Sequence, residues 1–298
     1  MLLRLSLAAA MLVAAIACAS RNRPAPTPAP GVPPAAATPT PPAAPPAAAR
    51  GTPEIVRLGP SALRYVVHQV IHIEQEFQGM RQPLDFGLRI FFGATITGPA
   101  DSTGYVTTVT IDSVVPDSGT TAPMGINLVA AKRLSFTGRL TPTGEFRNAV
   151  ASDTTIAQSL GPIFGSFKNF FPRLPAAGLT LGASWTDTAT TSDRAAGNVV
   201  VKTISRSNAA AWEQRNGARC LRLEVVSTFT IQGAGEQGGQ PFEVAGSGVR
   251  NGIDYIAVDG RYMGGEAHDS TSMTITLPVQ GMIIPRTQVS RSTVTVVP

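Results

Sequence analysis

The chain has 298 residues, a formal net charge of +5 and only 14% charged residues, well under the ~25% typical of soluble domains. Thr, Ser, Gly and Ala take their place, a mix suited to strands and turns in a protein outside the cytosol. The basic residues form no cluster, which excludes the basic patch that a nucleic-acid partner needs.

Residues 1–20 read MLLRLSLAAAMLVAAIACAS. Arg4 supplies a short positive start, and Leu5 to Ala17 an apolar run too short to span a bilayer, which takes ~20 residues. The run ends in small residues, so a secretory signal peptide is expected over 1–17. The segment Ala15-Ile16-Ala17-Cys18 resembles the lipobox of bacterial lipoproteins, with Ala15 where Leu is usual. The resemblance implies that Cys18 is diacylated and becomes the first residue of a membrane-anchored protein. The alternative is a plain signal peptide cut near Ala17. Ala19 and Ser20 lack the Asp that holds such lipoproteins at the inner membrane. The similarity therefore implies the outer membrane, facing the periplasm or the cell surface. With Cys18 lipidated, Cys220 has no partner in the chain, and packing alone holds the domain.

Arg21 to Pro53 is rich in Pro, Ala and Thr and cannot form a packed core. Dense proline favours an extended tether, at ~3.1 Å per residue up to about 100 Å long. Residues 18–55 thus read as lipidated N-terminus and linker, and 56–298 as one β-rich domain.

Within it, Leu63–Phe77 alternates with Leu63, Tyr65, Val67, Ile71 and Ile73 on one face, the period of a half-buried strand. Leu84–Ile96 repeats the pattern with Leu84, Phe86, Leu88, Ile90, Phe92, Ala94 and Ile96. Both are long for strands, which suggests a large curved antiparallel sheet bending at Gly87 and Gly93 on the polar face. Further strands are expected at Tyr105–Val114, Arg133–Leu140 and Glu145–Val150, the last two joined by a turn at 141–144. Over Asp153–Phe171 the period becomes helical, with Asp153 as N-cap, Pro162 as a kink and Pro172 as the stop. This amphipathic helix is expected to pack on the concave face. Strands then resume. Asn216-Gly217 predicts a type I′ hairpin pairing Trp212 with Leu221 and Ala210 with Leu223. Asp259-Gly260 marks a second hairpin between Ile253–Val258 and Arg261–Ala267, before Met273–Leu277 and Thr287–Val297. The strand–turn–strand at 134–150 echoes that at 253–269, suggesting a duplication about 153–175.

Phe171-Pro172-Arg173-Leu174-Pro175 through Gly182-Ala183-Ser184-Trp185-Thr186 resembles a motif of uncharacterised bacterial lipoproteins of the DUF6263 kind. There a Leu-Pro segment leads into Val-Gly-Asp-Ser-Trp; Ala183 stands in place of the Asp. The outline is also similar to the LolA and LppX lipoproteins, which implies an open or half-barrel sheet with helical cover on its concave side. The family has no assigned catalytic residues to carry over.

The residues themselves offer little chemistry. His68 and His72, four apart on one strand, lie about 13 Å from each other, too far to share a metal. Glu74 and Glu76 are about 7 Å apart, a glycosidase-like spacing that neighbours on a solvated strand face also show. Cys220 lies near Arg219 and Arg222, which favour thiolate, yet has no nearby histidine. Gly233–Gly239 lacks the Lys-Ser/Thr of a phosphate loop and reads as a loop between strands. Trp185 reads as a core anchor. No catalytic residue, metal or cofactor is expected. The reading is a non-enzymatic envelope lipoprotein that binds an apolar small molecule or an envelope protein. Its ligand is expected to lie between Phe86, Leu88, Ile90 and Phe92 on one wall and Phe164 and Phe167 on the other. The alternatives are a hydrolase of envelope polymers or a purely structural protein.

Overall fold

The computed structural model describes residues 54–101, 103–120, 127–160, 169–193, 198–237 and 239–298. Residues 1–53, which include Cys18, the expected signal segment and nearly all of the expected linker, lie outside them, as do Phe164 and Phe167. The strands are β1 (Ser61–Phe77), β2 (Met80–Asp101), β3 (Gly104–Pro116), β4 (Ser135–Leu140), β5 (Phe146–Ala151), β6 (Ser184–Asp193), β7 (Val199–Arg215), β8 (Ala218–Gln237), β9 (Gln240–Ala257), β10 (Tyr262–Leu277) and β11 (Met282–Val297). One helix, α1 (Thr154–Ser159), follows β5.

All eleven strands join one open antiparallel sheet in the order β5-β4-β3-β2-β1-β11-β10-β9-β8-β7-β6. Each half is a meander of neighbours in sequence. The halves meet where the first strand pairs with the last, from Arg64–Val297 to Gln75–Arg286.

One face is buried along most of the sheet. In β10 and β11 the alternation is nearly strict, with Ala267, Asp269, Thr271, Met273 and Ile275 covered and their neighbours exposed or half-exposed. Two apolar clusters occupy this face. The upper one gathers Tyr65, Phe92, Ile111, Leu140, Leu221, Leu223, Ile256 and Tyr262 with Leu160, Phe171, Leu174 and Leu179 of the connection between the halves. The lower one joins Val201, Phe229, Ile231, Phe242, Met273, Ile275 and Ile284. A single layer buries one face in this way by curling round it, so that face is the concave one. Glycines on the inner side of β9 permit tight coiling. A Cβ on Gly248 would lie 2.4 Å from the Phe229 ring, and one on Gly246 2.5 Å from Met273 Cβ.

The expected strands are present, mostly longer than their apolar alternation. Met273–Leu277 is the end of β10 rather than a separate strand, because the ladder runs on through the polar stretch Asp269–Ser272. Gly233–Gln237 is strand and not loop. A side chain on Gly233 would strike the backbone of Asn198 at 2.3 Å, so glycine serves a close approach there.

The Asn216-Gly217 turn has both central φ angles positive, 47° and 75°, as type I′ requires. Trp212 pairs with Leu221 as expected, but Leu223 pairs with Ala209. A bulge at Ala210 takes up the extra residue.

Asp153 does cap the helix, its Oδ1 accepting from the Ile156 N–H at 2.9 Å. The helix ends at Ser159, and the expected kink at Pro162 lies outside the described residues. From Phe170 the chain is not helical. Phe170 stacks edge-on against Tyr65, Phe92 and Tyr262, with centroids 5.0–5.3 Å away. Cys220 is a free thiol, fully buried on the outer face beside Tyr255, Ala257 and Met263.

Candidate functional site

The inner face is layered. Between the two apolar clusters runs a polar band that follows the cross-strand pairing. One row reads Ser227–Arg250–Asp269–Ser290–Ile71–Phe86 from β8 to β2. The next row down places Thr271 opposite Gln288 and Gln288 opposite Ile73. Arg286, 1% exposed, follows below, between Met273 and Gln75.

Burying such groups costs several kcal/mol unless hydrogen bonds compensate. Some do. Ser290 Oγ donates to Asp269 Oδ2 at 2.8 Å, and Arg286 Nη2 to Gln288 Oε1 at 3.0 Å. Arg250 Nε stands 3.9 Å from Asp269 Oδ1, beyond hydrogen-bond reach. Asp269 Oδ1, Thr271 Oγ1 and Gln288 Nε2 are buried and have no hydrogen-bond partner among the described residues. Desolvation raises the Asp269 carboxyl above its ordinary range and brings the Arg286 guanidinium down to about 10.

A second polar group lies above the band. Tyr262 donates its hydroxyl to Asp254 Oδ1 at 2.7 Å, and Tyr65 donates to the Tyr262 carbonyl at 2.9 Å. The carboxyl fits because Gly265 stands opposite; a Cβ there would lie 2.7 Å from Asp254 Oδ1. Desolvation raises Asp254, and keeps Tyr262 a neutral donor well above the usual phenol range.

The sign of the consequence follows. The folded state binds protons on Asp254 and Asp269 more tightly than the unfolded chain does. Stability from these groups is therefore full below the ordinary carboxylate pKa and falls as pH rises through the raised one. Asp254→Asn keeps an acceptor for Tyr262 but cannot ionise. Urea unfolding at pH 4, 6 and 8 is expected to show a smaller loss of stability with rising pH than in the parent. Identical pH slopes would show that Asp254 titrates normally.

Of the residues expected to line a ligand, Ile90 and Phe92 are packed into the upper cluster, at 4% and 0% exposure. Phe86 and Leu88 are half-buried. They face inward next to the polar band, Phe86 opposite Ile71 and Leu88 opposite Gln69. The pairing of β2 with β3 ends at Leu88–Pro116. Below it, β2 is a margin of the sheet, with Leu84 and Phe86 only partly covered on the inner side. Asp117 and Thr120 fold back on Gly87 there: Asp117 N–H donates to the Gly87 carbonyl at 2.8 Å, and Gly87 N–H to Thr120 Oγ1 at 2.8 Å.

Two outer-face histidines, His68 and His72, are each held by a carboxylate from elsewhere in the chain. His68 Nε2 lies 2.7 Å from Asp117 Oδ2, and His72 Nδ1 2.7 Å from Asp85 Oδ1 across the β1–β2 ladder. The Asp85 bond raises His72, and the His68 bond lowers Asp117. No group of three or more His, Cys, Asp or Glu among the described residues could hold a metal ion. Glu74 and Glu76 stand exposed on the outer face.

Sequence reasoning missed the polar band. Its signal was the shared parity of Asp269, Thr271, Arg286, Gln288 and Ser290 with apolar residues at both ends of the same strands. No family model matches the chain, and no curated protein matches it.

Proposed function

We propose that the chain is a lipid-anchored protein of the bacterial envelope that binds an apolar ligand on its concave face and catalyses no reaction. The observation that carries the binding reading is the margin of β2. Leu84, Phe86 and Leu88 present apolar side chains to the inside of the curl and are only half covered. Concave apolar surface with a few polar groups is the usual character of a small-molecule site. The anchoring reading rests on Cys18 at the end of the apolar N-terminal run; two or more acyl chains hold stably where one is marginal.

The experiment has two steps. Cys18→Ser is expected to move the protein from the membrane pellet to the soluble periplasmic fraction, and retention in the membrane would overturn the anchor. The released full chain is expected to enhance the fluorescence of N-phenylnaphthylamine saturably, with tetradecanoic acid displacing the dye. Phe86→Asp should weaken dye binding at least tenfold while circular dichroism stays unchanged. Failure of the soluble chain to bind the dye saturably would overturn the ligand reading.

A further inference from the structure

The atoms left over in the polar band define a chemistry. Gln288 is oriented by Arg286, which donates to its Oε1, so its Nε2 is fixed as a donor. Asp269 is oriented by Ser290, which donates to its Oδ2, so its Oδ1, 3.9 Å from Arg250 Nε, is left as an acceptor with no hydrogen bond among the described residues. Thr271, 2% exposed, brings a hydroxyl that can do either. Thr271 and Gln288 are direct cross-strand partners on one face, with Cβ atoms about 5 Å apart. Asp269 is two residues along the same strand, about 7 Å away.

Buried polar atoms of this kind are nearly always satisfied by something. A group that suits all three must both donate and accept. A hydroxyl does so, giving its proton to Asp269 Oδ1 and accepting from Gln288 Nε2 or Thr271. A methyl ester accepts but cannot donate. A carboxylate cannot donate to Asp269 Oδ1 either.

The same rows continue into apolar side chains on the neighbouring strands, the covered Ile71 and Ile73 on β1 and the half-covered Leu84 and Phe86 on β2. At about 4.8 Å per strand, β10 to β2 spans about 14 Å, the reach of a medium acyl chain. We propose that Asp269, Thr271 and Gln288 bind the hydroxyl head group of a neutral amphiphile whose tail lies along Leu84 and Phe86, the half-covered margin of the same rows. This rests on the apolar-ligand reading and names the class of ligand within it.

The test displaces N-phenylnaphthylamine from the full chain carrying Cys18→Ser at pH 7. Three competitors of equal chain length are compared: monotetradecanoylglycerol, methyl tetradecanoate and tetradecanoic acid. The monoacylglycerol is expected to displace the dye at concentrations at least tenfold below the other two. In Thr271→Val and in Gln288→Leu, measured separately so that a folding defect in one leaves the other, that advantage should shrink to within twofold. Methyl ester displacement should be unchanged in both. Equal displacement by all three competitors in the parent overturns the head-group site while leaving apolar binding intact, and would mean that internal water satisfies the band. An advantage that survives both substitutions overturns it as well. Absence of any dye binding overturns the apolar reading and this proposal together.

Discussion

Gly264→Ala is expected to cost the domain about 3 kcal/mol or more, the left-handed backbone and the overpacking together. Gly264 sits at the bulge between β9 and β10, where the register shifts between Tyr262 and Gly265, and its φ is +86°. A side chain in the left-handed region costs roughly 1–2 kcal/mol by itself. Here a Cβ would also lie 2.2 Å from the Val294 carbonyl oxygen of β11. That neighbour is backbone in the middle of the sheet and cannot swing aside, and forced overpacking adds about 1–3 kcal/mol. Gly93→Ala is the control, since Gly93 lies outside the left-handed region and a Cβ there would meet nothing within 4 Å; its effect should stay within about 0.5 kcal/mol. Urea midpoints decide the matter. A loss under about 1 kcal/mol for Gly264→Ala, less than the left-handed backbone alone should cost, would show that the bulge relaxes without strain.

Phe92→Ala is expected to destabilise the domain by about 3–5 kcal/mol, the range for deleting a fully buried aromatic ring. Phe92 is inaccessible to solvent. Its ring stacks on Tyr65 at 5.5 Å and meets Phe170 edge-on at 5.0 Å. Such pairs add about 0.5–1.5 kcal/mol beyond area burial. The cavity would open where the connection between the halves seats on the sheet, a place held by rings from β1, β2 and β10 that cannot easily collapse. A midpoint shift matching the smaller cost of an exposed site, under about 1 kcal/mol, would contradict this packing.

Much of the sheet was legible in the residues because a strand with one covered face writes its period directly. Tyr65 through Ile73 and Leu84 through Ile96 did so, and Asn216-Gly217 carried its own turn chemistry. The pattern failed where burial and polarity part company. Asp269, Thr271, Arg286, Gln288 and Ser290 are inside yet read as outside, so the strands read as shorter than they are and the band was invisible. Ala210 slipped the register because a bulge leaves no mark in hydrophobic alternation. Phe170 went unnoticed because it falls off the helical spacing, while the chain there is not helical. Gly233 read as a loop because glycine marks turns and close approaches alike.

The pairing of β1 with β11 also sets the order in which the sheet can be completed. The strand that joins the two meanders is the last to be made, and its partner lies more than two hundred residues earlier in the chain. Until β11 arrives, β1 and β10 each present an unpaired edge, the kind of surface on which chains associate wrongly. The loop that must close is long and its contacts are non-local, so assembly of the centre is slow relative to each meander. The polar side chains of the band lie within the later meander, Asp269 and Thr271 on β10 and Gln288 and Ser290 on β11, and the seam sets Ile71 and Ile73 of β1 beside them. The later half can therefore assemble the polar groups by itself, but it gains their apolar continuation onto β1 and β2 only with the final stitch.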